Sequence, residues 1–87
     1  MLLFLTIGAG DSVEIDRDDL LTAIRLLASN PSPSAQQFGR DLLLAWRLGV
    51  TESLEAAEAG GYPEEIQHQL GERATVNALM MQLDLDR

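Results

Sequence analysis

The segment Ser29-Asn30-Pro31-Ser32-Pro33 constrains the fold more than any other feature of this chain, because an α-helix does not readily cross it. Proline lacks a backbone N–H, and it disfavours helical geometry in the residue before it. On both sides of the segment, apolar residues recur at spacings of three and four, which is typical of amphipathic helices. We therefore predict a mostly helical chain with a short connector here.

Four helices are predicted from this periodicity. Asp16 is suited to the N-cap of the first, Ser34 to that of the second and Thr51 to that of the third. Gly49 is placed to end the second helix, and Pro63 is suited to the first position of the fourth. The predicted ranges are 16–29, 34–48, 51–59 and 63–85.

The first fifteen residues predict a β-hairpin. An apolar run at residues 2–7 is followed by the turn residues Gly8-Ala9-Gly10, and Val13-Glu14-Ile15 then alternates with a period of two. A lone two-stranded hairpin is not stable in water, so its apolar face must pack on helices or on a second copy. The predicted fold is therefore α+β and mostly helical, with an N-terminal β-hairpin (1–15) packed on about four short α-helices in one domain (1–87).

The chain has 87 residues and no cysteine, which excludes disulfides, thiolate metal sites and thiol catalysis. A domain this small gains stability from oligomerisation when it lacks such crosslinks. No apolar run is long enough for a membrane span, and the apolar start lacks the basic residues of a secretory signal. We expect a soluble cytoplasmic protein that does not bind membranes.

The net charge is −8, from fourteen acidic residues against six arginines and no lysine. Nucleic acids bind proteins chiefly through Lys and Arg, so direct nucleic-acid binding is not expected. An acidic surface favours a basic protein partner, and it is also compatible with imitation of nucleic-acid phosphates.

The last predicted helix is apolar on two sides. One apolar face has Ile66, Leu70, Ala74, Ala78, Met81 and Leu85, and a second face lies behind it. A helix that is apolar on both sides must be covered on both sides. We predict that the second face, with Trp46 as an additional anchor, contacts a protein partner or a second copy. The predicted interface residues are Val76, Leu79, Met80, Leu83 and Trp46.

Several sequence patterns resemble parts of catalytic or ligand-binding sites, but none favours such a site. Gly8-Ala9-Gly10 lacks the third glycine of a dinucleotide-binding loop, because Val13 stands at that place. Glu64, His68 and Glu72 share a helical spacing at which a divalent metal could bind, but a solvated acidic face is the favoured interpretation. The candidate serine nucleophiles lie outside the Gly-x-Ser-x-Gly pattern; they are Ser12, Ser29, Ser32, Ser34 and Ser53. We predict no enzyme activity, no metal site and no cofactor.

Residues 56–70 are similar in residue spacing to a helix-turn-helix, in which Ala56, Gly60 and Ile66 would occupy the small-residue, turn and apolar positions. The second helix of that segment opens with Glu64 and Glu65, which are poor residues for contacting DNA. The leading prediction is therefore a small acidic, non-enzymatic protein–protein interaction module, regulatory or adaptor in role and dimeric. The alternatives are an acidic nucleic-acid-mimicking inhibitor of a DNA- or RNA-processing enzyme and a helix-turn-helix-like transcriptional regulator.

Overall fold

The computed structural model describes residues 2–7 and 11–83, which form two strands and three helices. In chain order the elements are β1 (Leu2–Ile7), β2 (Asp11–Asp16), α1 (Arg17–Ala28), α2 (Pro33–Gly60) and α3 (Pro63–Leu83). The mostly helical α+β class is confirmed, with three helices in place of about four. The chain divides into two compact units at Ala45–Trp46, inside α2, and its organisation as one domain stays a prediction.

β1 and β2 form the predicted antiparallel hairpin, and the second strand is longer than the three residues expected for it. Leu5 is paired with Val13 and Leu3 with Ile15, so these four apolar side chains share one face. Leu5 is buried, and α1 contacts β2. The predicted turn residues Gly8, Ala9 and Gly10 lie outside the described residues.

α1 begins where the sequence predicts, because Asp16 caps it. The Asp16 carboxylate accepts a hydrogen bond from the backbone N–H of Asp18 at 3.0 Å. The helix ends at Ala28, and the hydroxyl of its C-cap residue, Ser29, donates to the carbonyl of Arg25 at 2.8 Å. Leu20 and Ile24 lie on one side of the helix and are fully buried.

The Pro31–Pro33 connector is held by Asn30. Its side-chain oxygen accepts from the backbone N–H of Ser32 at 2.9 Å, and its carbonyl accepts from Gln36 Nε2 at 2.7 Å. α2 therefore begins at Pro33, one residue earlier than predicted. Ser34 lies in the first turn of the helix and is not its N-cap.

α2 continues without a break to Gly60, so the predicted end at Gly49 and the separate helix at 51–59 are wrong. The hydroxyl of Thr51 donates to the carbonyl of Arg47 at 2.9 Å, which is the usual bond of a threonine inside a helix. Thr51 is therefore not an N-cap. A glycine inside a helix costs about 1 kcal/mol, whereas each buried Leu or Val gains about 1.5–3 kcal/mol. Burial of the side chains that continue past Gly49 outweighs that cost; they are Val50, Leu54 and Ala57.

The Gly60-Gly61 pair ends α2 as predicted. Gly61 has a φ of +71°, a conformation that favours glycine. The N–H of Tyr62 donates to the carbonyl of Ala57 at 3.0 Å, and the N–H of Gly61 to that of Glu58 at 3.3 Å. This pair of bonds is the Schellman motif. α3 then starts at Pro63, and the part of the predicted helix that contains Leu85 lies outside the described residues.

No helix in the described ranges 2–7 and 11–83 combines the length and the apolar character that a bilayer span requires.

Candidate protein-interaction surface

The second half of α2 has two opposite faces. Its buried side chains are Trp46, Val50, Leu54 and Ala57, which recur at spacings of three and four. Its exposed acidic side chains recur every three residues, so they form a ridge on the side turned away from the buried face; they are Glu52, Glu55 and Glu58. The sequence of α2 thus separates a core-facing side from a carboxylate side.

Two further carboxylates lie on the first turn of α3, where Glu64 and Glu65 are exposed. Glu65 Oε1 accepts a hydrogen bond from Gln69 Nε2 at 2.7 Å, which restrains the Glu65 side chain. These two residues, with Tyr62 and Pro63, line an open hollow of about 570 Å³. The hollow therefore combines an aromatic ring with two acidic side chains.

The Tyr62 ring is positioned by the absence of a side chain at Gly60. A Cβ added to Gly60 would overlap Cε2 of the ring and would lie 2.8 Å from its Cδ2. The ring therefore lies directly over the Gly60 backbone, while 64% of the Tyr62 side chain remains exposed. Exposed aromatic rings that are held in place are common anchors at protein interfaces.

The charge on this part of the chain has one sign. Between Leu48 and Glu72 the sequence contains six glutamates and neither Arg nor Lys. Five of the six are exposed, and we call them the acidic face: Glu52, Glu55, Glu58, Glu64 and Glu65. Exposed charges of one sign raise the local concentration of cationic groups, and salt weakens that attraction.

The predicted interface residues of the last helix lie mainly in the interior. Val76, Leu79 and Met80 are buried, and Leu83 is half-buried. Trp46 is buried with 1% of its surface exposed. A partner contact at these positions stays a prediction, and it would have to expose side chains already hidden from water.

Of the two apolar faces predicted for the last helix, the second is the more deeply buried. Ala74, Ala78 and Met81 of the first face are exposed, Met81 by 76%. Val, Leu and Met side chains bury more apolar area than Ala, so packing favours the side with the larger residues. Arg47 Nη1 also lies 3.8 Å from the Met80 sulfur.

Sequence reasoning missed two groups of exposed apolar side chains. The first is the single residue Tyr62. The Gly60-Gly61 pair directly before it indicates a helix end, after which a side chain is often exposed. Leu2 and Phe4 on β1 are the other, exposed by 56% and 69%. The sequence indicates these two through the unbroken apolar run of β1. A strand with only one buried face needs apolar residues at alternate positions alone, so the others in the run are left exposed.

The candidate metal-ligand set is not gathered on one surface. Glu64 and His68 are exposed, whereas Glu72 is buried on the side of α3 that holds Val76. Within residues 2–7 and 11–83, no three His, Asp or Glu side chains are grouped to hold a metal ion. The candidate serines are all exposed, and Ser29 has the structural role described above.

The described residues form a small α+β chain with exposed glutamates on α2 and an exposed tyrosine beside two glutamates at the start of α3. No protein family, curated protein or solved structure matches it.

Proposed function

We propose that this protein is a small non-enzymatic interaction module, regulatory or adaptor in role, that binds a basic protein segment through its acidic face and acts as a dimer. The observation that carries the proposal is the exposed ring of Tyr62 beside Glu64 and Glu65. The carboxylate ridge of α2 adds three further exposed negative charges. An aromatic face and carboxylates at one place are complementary to a guanidinium or ammonium group.

The Tyr62 hollow and the carboxylate ridge of α2 have different roles in binding. The hollow at Tyr62 receives one Arg or Lys side chain of the partner, because its ring supplies a cation–π contact and its glutamates supply charge-assisted hydrogen bonds. The ridge formed by Glu52, Glu55 and Glu58 attracts the remaining basic residues from a distance and raises the association rate. Exposed ion pairs contribute little each, so the hollow is expected to provide most of the affinity.

A pull-down from the native host with mass spectrometry tests the proposal, using the wild type and two matched variants. The first variant changes Glu52, Glu55 and Glu58 to Gln, and the second changes Asp18, Asp19 and Asp41 to Asn. Both variants remove three exposed negative charges, but only the first alters the acidic face. We expect the control variant to capture basic partners at the wild-type level and the ridge variant to capture them in clearly reduced amounts, because the ridge raises the association rate.

Equal loss of partners from both variants would reduce the role of the acidic face to net charge and would contradict the proposal. Loss of the same partners on Tyr62→Ala, with retention on Tyr62→Phe, is the expected result for the hollow. Phe keeps the aromatic face, so the two tyrosine variants separate the ring from the hydroxyl.

The acidic ridge also favours the second candidate function, imitation of nucleic-acid phosphates. The two functions differ in competition. A phosphate mimic loses its partner to added duplex DNA, whereas a module that recognises one basic segment through the Tyr62 hollow keeps it. Displacement by DNA at constant salt would support the inhibitor function over the adaptor function.

A further inference from the structure

Among the described residues, no strand pairs with the outer edge of β1. β1 is hydrogen-bonded to β2 along one edge, and no third strand occurs in the ranges 2–7 and 11–83. In an antiparallel pair, alternate residues direct their N–H and C=O groups away from the partner strand. The other edge of β1 therefore presents a row of donors and acceptors that another strand can join.

The sequence of β1 lacks two of the features that usually prevent strand addition, charged residues and proline. β1 has no charged residue and no proline, whereas β2 carries Asp11, Glu14 and Asp16. Proteins that keep an edge strand unpaired commonly place charges or proline on it. Of the two strands, only β1 lacks such protection.

An exposed apolar row runs along the same strand. Leu2 and Phe4 lie on the face opposite Leu5, and 56% and 69% of their surfaces are exposed. Their cross-strand neighbours are Asp16 and Glu14, respectively. The outer face of the hairpin thus has an apolar row on β1 and an acidic row on β2.

We propose that β1 pairs antiparallel with β1 of a second copy, so that two hairpins form one four-stranded sheet. This inference rests on the dimer of the proposed function and assigns its interface to β1. Pairing through β2 would bring Glu14 and Asp16 of one copy against the other copy, and like charges on facing strands are destabilising. Pairing through β1 places apolar rows together and keeps the β2 strands at the outer edges.

The separation of the acidic rows supports a second copy as the occupant. Strands in a sheet lie about 4.8 Å apart, so the two β2 strands of the dimer are about 14 Å apart. That distance exceeds the screening length of about 8 Å at physiological salt. Two chains with a net charge of −8 can therefore meet at β1 with little repulsion between their hairpins.

The side-chain alternation limits the register. If a residue of β1 lies opposite its own copy, the Leu5 faces of both hairpins lie on one side of the sheet. If it lies opposite the copy of its sequence neighbour, one hairpin is turned over. Centring the pair on Phe4 places Phe4 opposite Phe4 and Leu3 opposite Leu5. In this register Leu2 of each copy lies opposite Thr6 of the other, so residues 2–6 of both strands are paired.

Crosslinking tests this register, because the chain has no native cysteine. Opposed residues in antiparallel strands have Cα atoms about 4.5–5.5 Å apart, within disulfide range. We expect Phe4→Cys to form a disulfide-linked dimer under mild oxidation. Glu14→Cys, on the same face but on β2, is expected to remain largely uncrosslinked. Equal crosslinking of the two variants, or none in Phe4→Cys, would overturn the register.

Charge insertion tests the interface itself. Phe4→Lys places two ammonium groups opposite each other, and it is expected to weaken dimerisation about tenfold or more in sedimentation equilibrium. Met81→Lys adds the same charge at an equally exposed apolar residue on α3 and is expected to leave the dimer intact. Both variants keep the wild-type circular dichroism spectrum, because both side chains are exposed.

A wild-type chain that stays monomeric up to submillimolar concentration, or a dimer that Met81→Lys disrupts and Phe4→Lys does not, would overturn the β1 interface. Either outcome leaves the acidic face to be judged separately. A monomeric Phe4→Lys variant that still captures the basic partner would show that partner binding does not need the dimer.

Discussion

Gly39 of α2 lies against Leu27 of α1, so closely that a Cβ on Gly39 would be 2.9 Å from the Leu27 Cβ. The Leu27 Cβ is bonded directly to the backbone of α1 and cannot move without its helix. The same hypothetical Cβ would lie 3.5 Å from the backbone N of Ala28. Glycine at position 39 therefore permits the close approach of two helices on either side of the Pro31–Pro33 connector.

Gly39→Ala and Gly49→Ala are expected to have opposite effects on stability. At Gly39 the added methyl forces α1 and α2 apart, and we expect a loss of about 1–3 kcal/mol in the free energy of unfolding. At Gly49, a Cβ meets nothing within 4 Å in the described part of the chain beyond the helix itself. There we expect a gain of about 0.5–1 kcal/mol from helix propensity.

Urea denaturation of both variants and of the wild type measures this difference. A Gly49→Ala variant that is clearly less stable than the wild type would contradict the continuity of α2 at this position.

Gly61→Ala is expected to destabilise the protein by about 1–2 kcal/mol, because an L-residue with a side chain is strained at a φ of +71°. Gly61→Asn is the matched control, since asparagine tolerates this conformation better, and its cost should be smaller. Thermal unfolding monitored by circular dichroism measures both. Equal melting temperatures for the Ala and Asn variants would argue against the left-handed conformation at Gly61.

Trp46 is the one tryptophan of the chain, so its fluorescence reports a single site. With 1% of its surface exposed, it is expected to emit at short wavelength and to resist quenching by iodide. Trp46→Ala should cost about 3–5 kcal/mol of stability through loss of packing. Met81→Ala, at a residue 76% exposed, should change stability by no more than about 0.5 kcal/mol.

Strong iodide quenching of the monomer would contradict the burial of Trp46. It would also restore its predicted role as an exposed interface anchor.

The cap of α1 predicts a pH dependence. The backbone N–H of Asp18 donates to the Asp16 carboxylate, and this lowers the pKa of Asp16 below its ordinary value of 3.8. A lowered pKa in the folded state means that ionised Asp16 stabilises the fold fully above that value and loses its contribution as the pH falls through the folded pKa. Asp16→Asn retains a capping oxygen without titrating.

The stability difference between the wild type and Asp16→Asn should therefore shift in favour of the variant between pH 5 and pH 2. Melting temperatures across that range measure the shift. A difference independent of pH would rule out a titrating cap at Asp16.

Local signals were sufficient for much of the fold. The Asp16 cap, the Pro31–Pro33 break and the Gly60-Gly61 stop act within a few residues of themselves, because they set backbone torsions or satisfy the first N–H groups of a helix. The hairpin was likewise predictable from alternation and a turn. These elements needed no knowledge of what packs against them.

Continuity through Gly49 and the buried side of α3 depended on packing between distant residues. Gly49 and Thr51 carry a local stop and start signal, which the burial of Val50 and Leu54 overrides. α3 has apolar residues on both sides, and its periodicity alone favours neither. The interior selected Val76 and Met80 over Ala74 and Ala78, because larger side chains fill more space and remove more apolar area from water.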